Sequence, residues 1–227
     1  MAEYLRVWCA GPGPAHRRVA VTATVGVLGG TGTATASTSG ESRPQADPAY
    51  KILKHLDYRG PGKASLRLGY YNAGADRGFG WTKVKRKHNI TKYSAVEYIA
   101  KSPKRKHISG DSHQETGYAG KYKCRNGVCR LVKQYKVLLT VNEKELRDGQ
   151  DKGVITQYCV GIVRCPNWVT KSLSKANRRA VATEGNEKYV GAYEPLARTQ
   201  RAAEVEAGVN EKLAAGYEPL RRETAAR

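Results

Sequence analysis

Phenylalanine and methionine are nearly absent, with one of each in 227 residues, while tyrosine occurs 14 times. A core must therefore come from Val, Leu, Ile, Ala and Tyr. Tyrosine keeps one polar edge, so a small core with much half-buried surface is expected. Acidic residues are also few: 20 against 40 Lys and Arg, a formal net charge of +20. That scarcity argues against paired-carboxylate chemistry such as glycoside hydrolysis. No Walker loop, no dinucleotide glycine motif, no His-Glu-x-x-His and no Gly-x-Ser-x-Gly elbow occurs. The most apolar stretch, residues 17–36, is too short and too polar to span a bilayer.

What is present is charge, unevenly placed. Between Lys83 and Lys136 stand 15 Lys or Arg and 3 Asp or Glu. An excess of this kind raises a positive potential that attracts phosphate-bearing partners. Residues 17–36 open on Arg17-Arg18, continue through a mildly apolar Val/Ala/Thr/Gly stretch and end on Ala34-Thr35-Ala36. This is the order of an export signal, so residues 1–36 are expected to be a leader, with a start site set too far upstream accounting for residues 1–16. Residues 37–50 read as a Ser/Gly/Pro linker, 51–173 as one basic domain and 174–227 as a tail. The tail repeats Asn-Glu-Lys, four residues, Tyr-Glu-Pro-Leu, one residue, Arg, at 186–198 and 210–222. Two copies are too few for a solenoid, and a solvated, partly helical tail is expected.

Four cysteines follow the leader: Cys124, Cys129, Cys159 and Cys165. An even number in an exported chain reads as disulfides. Asn126-Gly127 is the preferred pair for a two-residue type I′ hairpin turn. Arg125 and Val128 then flank the turn, and Cys124 and Cys129 face each other at the next pair, where Cα atoms lie closest. By elimination Cys159 pairs with Cys165. The spacing does not fit a zinc knuckle, and no metal or other cofactor is expected.

The remaining pattern predicts helices over 81–88 and 94–102. Trp81, Val84 and His88 share one side of the first; Val96, Ile99 and Ala100 face inward on the second, which Pro103 ends. A strand fits 66–71, a hairpin fits 117–124 with 128–141, and a further strand fits 153–163. On the second hairpin arm Leu131, Tyr135, Val137, Leu139 and Val141 should point one way and Arg130, Gln134, Lys136 and Thr140 the other. The expected fold class is α+β: short N-terminal helices packed on a small antiparallel β-sheet.

The side chains left for chemistry are His, Lys, Arg, Thr and Tyr. That set suits metal-independent RNA cleavage: one group takes the 2′-hydroxyl proton, an acid protonates the leaving 5′-oxygen, and cations stabilise the phosphorane. His88 and His107 are the candidate general acid and base, with His113 a nearby substitute. Thr156 and Tyr158, two residues apart on one strand, face one side. Lys85, Lys87, Lys104, Arg105 and Lys106 are candidate substrate-binding cations, as is Lys136, which the alternation places on the polar face of its strand.

Gly78-Phe79-Gly80-Trp81 running to Lys87-His88 resembles the opening of some small bacterial toxin-like domains. Gly153-Val154-Ile155-Thr156-Gln157-Tyr158 resembles the terminal Thr-x-Tyr strand of the barnase–EndoU–colicin type ribonuclease superfamily. His107-Ile108-Ser109-Gly110-Asp111 is similar to the first His motif of EndoU-like members. The resemblance covers residues 66–163 and implies helices packed on an antiparallel sheet with the active site on the sheet face. Its departure is the second His motif, Gly-Gly-His in EndoU-like toxins, where this chain has Gly117-Tyr118-Ala119-Gly120.

The expected function is a secreted or delivered toxin domain that cleaves RNA by 2′-hydroxyl attack. The alternative is a secreted, non-catalytic binding module for nucleic acid or another anionic polymer. Expected partners are RNA or another polyanion and an immunity protein, with the chain itself a monomer.

Overall fold

Two hairpins come before any α-helix. β1 (Ile52–Asp57) pairs antiparallel with β2 (Lys63–Arg67), and β3 (Tyr70–Asn72) with β4 (Arg77–Phe79). Helices α1 (Gly80–His88) and α2 (Tyr93–Ala100) follow, then β5 (Arg105–Ser109), β6 (Ser112–Arg125), β7 (Val128–Glu145) and β8 (Asp151–Cys159). The chain continues through α3 (Asn167–Ala176), β9 (Ala182–Glu184), β10 (Glu187–Ala192), β11 (Thr199–Arg201) and α4 (Ala202–Glu211). This is a computed structural model, and it describes residues 47–211. The expected leader, the linker up to residue 46 and the second copy of the repeat beyond residue 211 lie outside the described residues. Among the described residues no helix is long and apolar enough to cross a membrane.

The spine is the hairpin β6–β7. Asn126 and Gly127 take φ of 49° and 77°, the two positive values that a type I′ turn requires. At one end of this hairpin β5 flanks β6 and β8 flanks β7; at the other β10, then β9, flank β6 while β11 flanks β7. The result is a curled, seven-stranded antiparallel sheet. Strands make up 47% of the structure and helices 22%, so the expected α+β arrangement, short helices on a small sheet, is overturned. Three kinds of strand account for the difference. β1 and β2 mix polar with apolar residues, the first half-buried and the second buried from Ala64 to Arg67; β5 is largely exposed; and β9–β11 come from the segment expected to be a solvated tail.

A bulge explains a second departure. The β6–β7 register steps from Lys121↔Lys133 to Tyr122↔Leu131, leaving Val132 as the extra residue. One extra residue reverses the alternation, so Leu131 faces away from Tyr135, Val137, Leu139 and Val141. On the Val137 side lie α2 and α3. Gly117 and Gly191 are needed there, because a Cβ would stand 2.5 Å from Ile99 Cδ1 and 2.7 Å from Ala176 Cβ respectively. The other face is covered by the chain after β10: Tyr122 donates to the Ala197 carbonyl at 2.7 Å and Leu196 N–H donates to Gln134 Oε1 at 2.6 Å. Leu196 and α4's buried Val205 complete that layer.

Cys124–Cys129 and Cys159–Cys165 are both disulfides. The first joins the registered pair next to the turn, with Cα atoms 3.9 Å apart. It is far in sequence from the cavity described below, so Cys124→Ser with Cys129→Ser is expected to lower stability by about 2 kcal/mol without changing any activity of that cavity. Thermal unfolding and an activity assay on one preparation check both halves.

Candidate nucleic-acid cleavage site

α1 ends on Asn89, which takes the left-handed conformation (φ 61°) and donates its N–H to Lys85 O; asparagine tolerates this C-terminal position well. The preceding residue, His88, is 7% exposed. Residues 160–164 loop out between the Cys159 and Cys165 of the second disulfide and grip His88 at both ends. Val163 O lies 2.9 Å from His88 Nδ1, Cys165 N–H donates to His88 O at 3.0 Å, and Asn89 Nδ2 donates to Cys165 O at 2.8 Å. A carbonyl can only accept, so Nδ1 must carry the proton. In the neutral ring Nε2 is then the nitrogen with the free lone pair.

That ring borders a cavity of about 360 Å³, lined also by Lys83, Lys87, Thr156, Tyr158 and the 161–163 turn. β8 supplies Thr156 and Tyr158 to the same side because they stand opposite Thr140 and Leu138 across the β7 ladder. The Tyr158 and His88 rings have centroids 5.7 Å apart. Thr156 Oγ1 is out of water with no hydrogen-bond partner among the described residues. Burial pushes the His88 pKa below the ordinary imidazole value; the Val163 contact partly opposes this and the nearby Lys87 and Lys83 add to it. Burial likewise lowers Lys83, with Lys87 adding to it, and Lys83 Nζ donates to Gly78 O at 3.2 Å. Lys87 is paired with Asp76, whose carboxyl its ammonium holds below the usual range. The cavity thus combines a neutral imidazole, an ammonium whose pKa burial lowers, two hydroxyls and a second cation.

The other expected residues are dispersed. His107 sits on exposed β5, with Nε2 2.8 Å from Gly110 O, and does not line this cavity. Lys104 pairs with Glu194. Arg105 is 3.0 Å from Glu115, with its guanidinium 3.7 Å over the Tyr58 ring. Lys106 and Lys85 are exposed. Lys136 is exposed on the Thr156 side of the sheet but outside the cavity.

His113 is part of a separate buried cluster. Its ring nitrogens lie 2.8 Å from Glu115 Oε1 and 3.0 Å from Glu143 Oε1, and Tyr58 Oη is 3.2 Å away. The Glu115 contact is close but angled off hydrogen-bond geometry. Glu115 is fully buried, so this cluster ties β5, β6 and β7 to the β1–β2 hairpin rather than opening to a substrate. Among the described residues no group of three His, Cys, Asp or Glu is placed to hold a metal ion.

No family model, curated protein or solved structure matches this chain. Its function must therefore be argued from the cavity itself. Lys83 and the Val163 carbonyl escape a reading of the sequence. Lys83 is one of four basic residues in the nine of α1, and nothing local marks it as the inward one. A backbone carbonyl leaves no trace in composition.

Proposed function

We propose that this domain is a metal-independent ribonuclease of a secreted or delivered toxin, acting through the His88 cavity. The observation that carries the reading is the trapped tautomer of His88: neutral, Nδ1–H fixed on Val163 O, and bordering the same cavity as Lys83, Thr156 and Tyr158. In this reading Nε2 removes the 2′-hydroxyl proton of RNA. The 2′-oxygen bonds to the adjacent phosphorus and the P–O5′ bond breaks. Lys83, made more acidic by burial, returns a proton to the leaving 5′-oxygen, while Thr156 and Tyr158 donate hydrogen bonds to the phosphorane oxygens. Two disulfides fit the oxidising surroundings of a secreted protein, and the net charge of +20 fits a polyanionic substrate. An immunity protein would be the partner that protects the producing cell.

The experiment is incubation of labelled RNA with the purified chain in EDTA. Products ending in a 2′,3′-cyclic phosphate are expected, and DNA, lacking the 2′-hydroxyl, should survive. Thr156→Val keeps the β-branched shape and removes the hydroxyl; a loss of about 10-fold or more in rate, with unchanged unfolding, is expected. Cleavage that vanishes with EDTA, or that degrades DNA equally, would rule the mechanism out. If folded protein cleaves no RNA yet retains it, the binding-module reading takes its place.

A further inference from the structure

α3 carries no acidic residue, and apart from the buried Ser172 its polar positions fall on one stripe. Asn167, Thr170, Lys171, Ser174 and Lys175 follow the i, i+3, i+4, i+7, i+8 spacing that puts side chains on one face of a helix, and Arg178 joins them from the turn after it. Facing the stripe are Thr91 and Lys92 from the turn between α1 and α2. Together these residues enclose a cavity of about 260 Å³ with four cations and no carboxylate among its lining residues. Exposed Glu184, which does not line the cavity, pairs with Lys171.

One side chain in this cavity is unexplained by folding alone. Ser174 is 1% exposed, and its hydroxyl has no hydrogen-bond partner among the described residues. A helical serine normally returns its hydroxyl to the carbonyl four residues back, and a buried, unpaired hydroxyl destabilises the protein. Thr170, by contrast, is satisfied: it donates to Asn89 O at 3.3 Å and accepts from Thr91 N–H at 3.4 Å. Ser174 is therefore the donor left over, in a cavity ringed by positive charge.

We propose that the α3 cavity is a phosphate subsite that holds the RNA backbone beside the His88 cavity. Ser174 Oγ donates to a phosphate oxygen; Lys92, Lys175 and Arg178 balance its charge, and Lys171 joins them by exchanging Glu184 for the phosphate. One hydrogen bond links the residue after His88 to the lining of the α3 cavity. Asn89, next to His88, donates to Asn167 Oδ1 at 2.8 Å, and Asn167 lines the α3 cavity. A strand entering one cavity would pass over this pair into the other. The choice of RNA as the polymer rests on the ribonuclease reading; the phosphate subsite does not.

The two are separated by working in the full chain carrying His88→Ala and measuring binding, not cleavage, of a labelled single-stranded RNA. Each phosphate neutralised contributes about −0.7 to the slope of log affinity against log salt. Replacing Lys171, Lys175 and Arg178 together with Ala should flatten the slope by up to about 0.7, the share of the one phosphate that the cavity holds. Replacing the exposed Lys123, Arg125 and Arg130, remote in sequence from both cavities, should change it much less. Ser174→Ala should weaken binding by about 10-fold while leaving the unfolding temperature unchanged or higher, since it removes an unpaired buried hydroxyl. Equal slope changes in the two triple variants would overturn the proposal, as would a Ser174→Ala protein that binds normally. Should the chain prove inactive on RNA while these binding effects appear, the subsite stands and the catalytic reading falls.

Discussion

His88→Ala is expected to slow RNA cleavage by about 10²–10⁴-fold, the usual cost of losing one general acid or base. Binding should change little, because a neutral imidazole contributes no charge to phosphate affinity. Free imidazole fits the space vacated by the side chain and should restore part of the rate. The pH profile carries the sign. The ring must be unprotonated to act as a base, and burial lowers its pKa from the usual 6.5. Activity should therefore persist below pH 6.5 and fail only as the pH drops through the lowered value. The same shift links to stability: the fold disfavours the charged ring, so this contribution is complete above the unfolded-state value and is lost as pH falls below it. Opening the second disulfide tests how the ring is held. Cys159→Ser with Cys165→Ser frees the loop that supplies Val163 O and the Cys165 N–H. A loss of turnover larger than the loss of stability, about 2 kcal/mol, is expected, whereas opening Cys124–Cys129 should cost stability alone. An acidic limb at or above pH 6.5, or a His88→Ala protein as active as wild type, would remove His88 from the mechanism.

The parts legible in the sequence are those that local chemistry specifies. Asn126-Gly127 encodes a turn, the turn sets the Cys124–Cys129 register, and Trp81, Val84 and His88 mark the packed side of α1. Thr156 and Tyr158 were readable as partners because a two-residue period puts them on one face, and their cavity with His88 joins residues 68 and 70 apart in sequence. The helical period marked His88 as packed, but nothing local excluded His107 from a site. Both stand among lysines and arginines, and only the 160–164 loop buries one of them. The Lys104-Arg105-Lys106 run reads as one binding patch, yet in the fold Arg105 turns inward to Glu115 while Lys104 meets Glu194. The α3 stripe had a signal, hydroxyls and cations at helical spacing without acids, but it straddles the expected domain boundary at residue 173. The Asn186–Arg198 repeat copy looks apolar-poor. It holds its place through Tyr193, stacked on Tyr98 at 4.6 Å and donating to the Tyr98 carbonyl, and through Leu196 over Gly120. Such anchors need partners far along the chain.

Arg67→Ala is expected to be strongly destabilising, lowering stability by about 3–5 kcal/mol. In sequence Arg67 falls within the strand expected over 66–71, and nothing local marks it as a buried residue. In the fold its side chain is fully buried. Its guanidinium grips Asp148 through two bonds of 2.7 and 3.0 Å, and donates to Tyr50 O at 2.6 Å and to Asp151 O from both Nε and Nη2. Asp151 in turn accepts from the Ser65 N–H and hydroxyl. One planar cation thereby joins β2, the turn before β8 and the 3₁₀ turn at Pro48–Tyr50. Removing it leaves carbonyls unpaired and a void where a large side chain had been. The Asp148 carboxylate is half in water and can rehydrate, so the loss comes mainly from those carbonyls and the void. Arg67→Lys keeps the charge but cannot reproduce the two-pronged grip on Asp148 together with the carbonyl bonds, so most of the loss should remain. Because β2 abuts β8, the strand that carries Thr156 and Tyr158, residual activity at low temperature should fall along with stability. Denaturant unfolding of wild type, Arg67→Ala and Arg67→Lys checks the order. A change of less than about 1 kcal/mol in Arg67→Ala would mean that water replaces the guanidinium and that β2 is held by its apolar contacts alone.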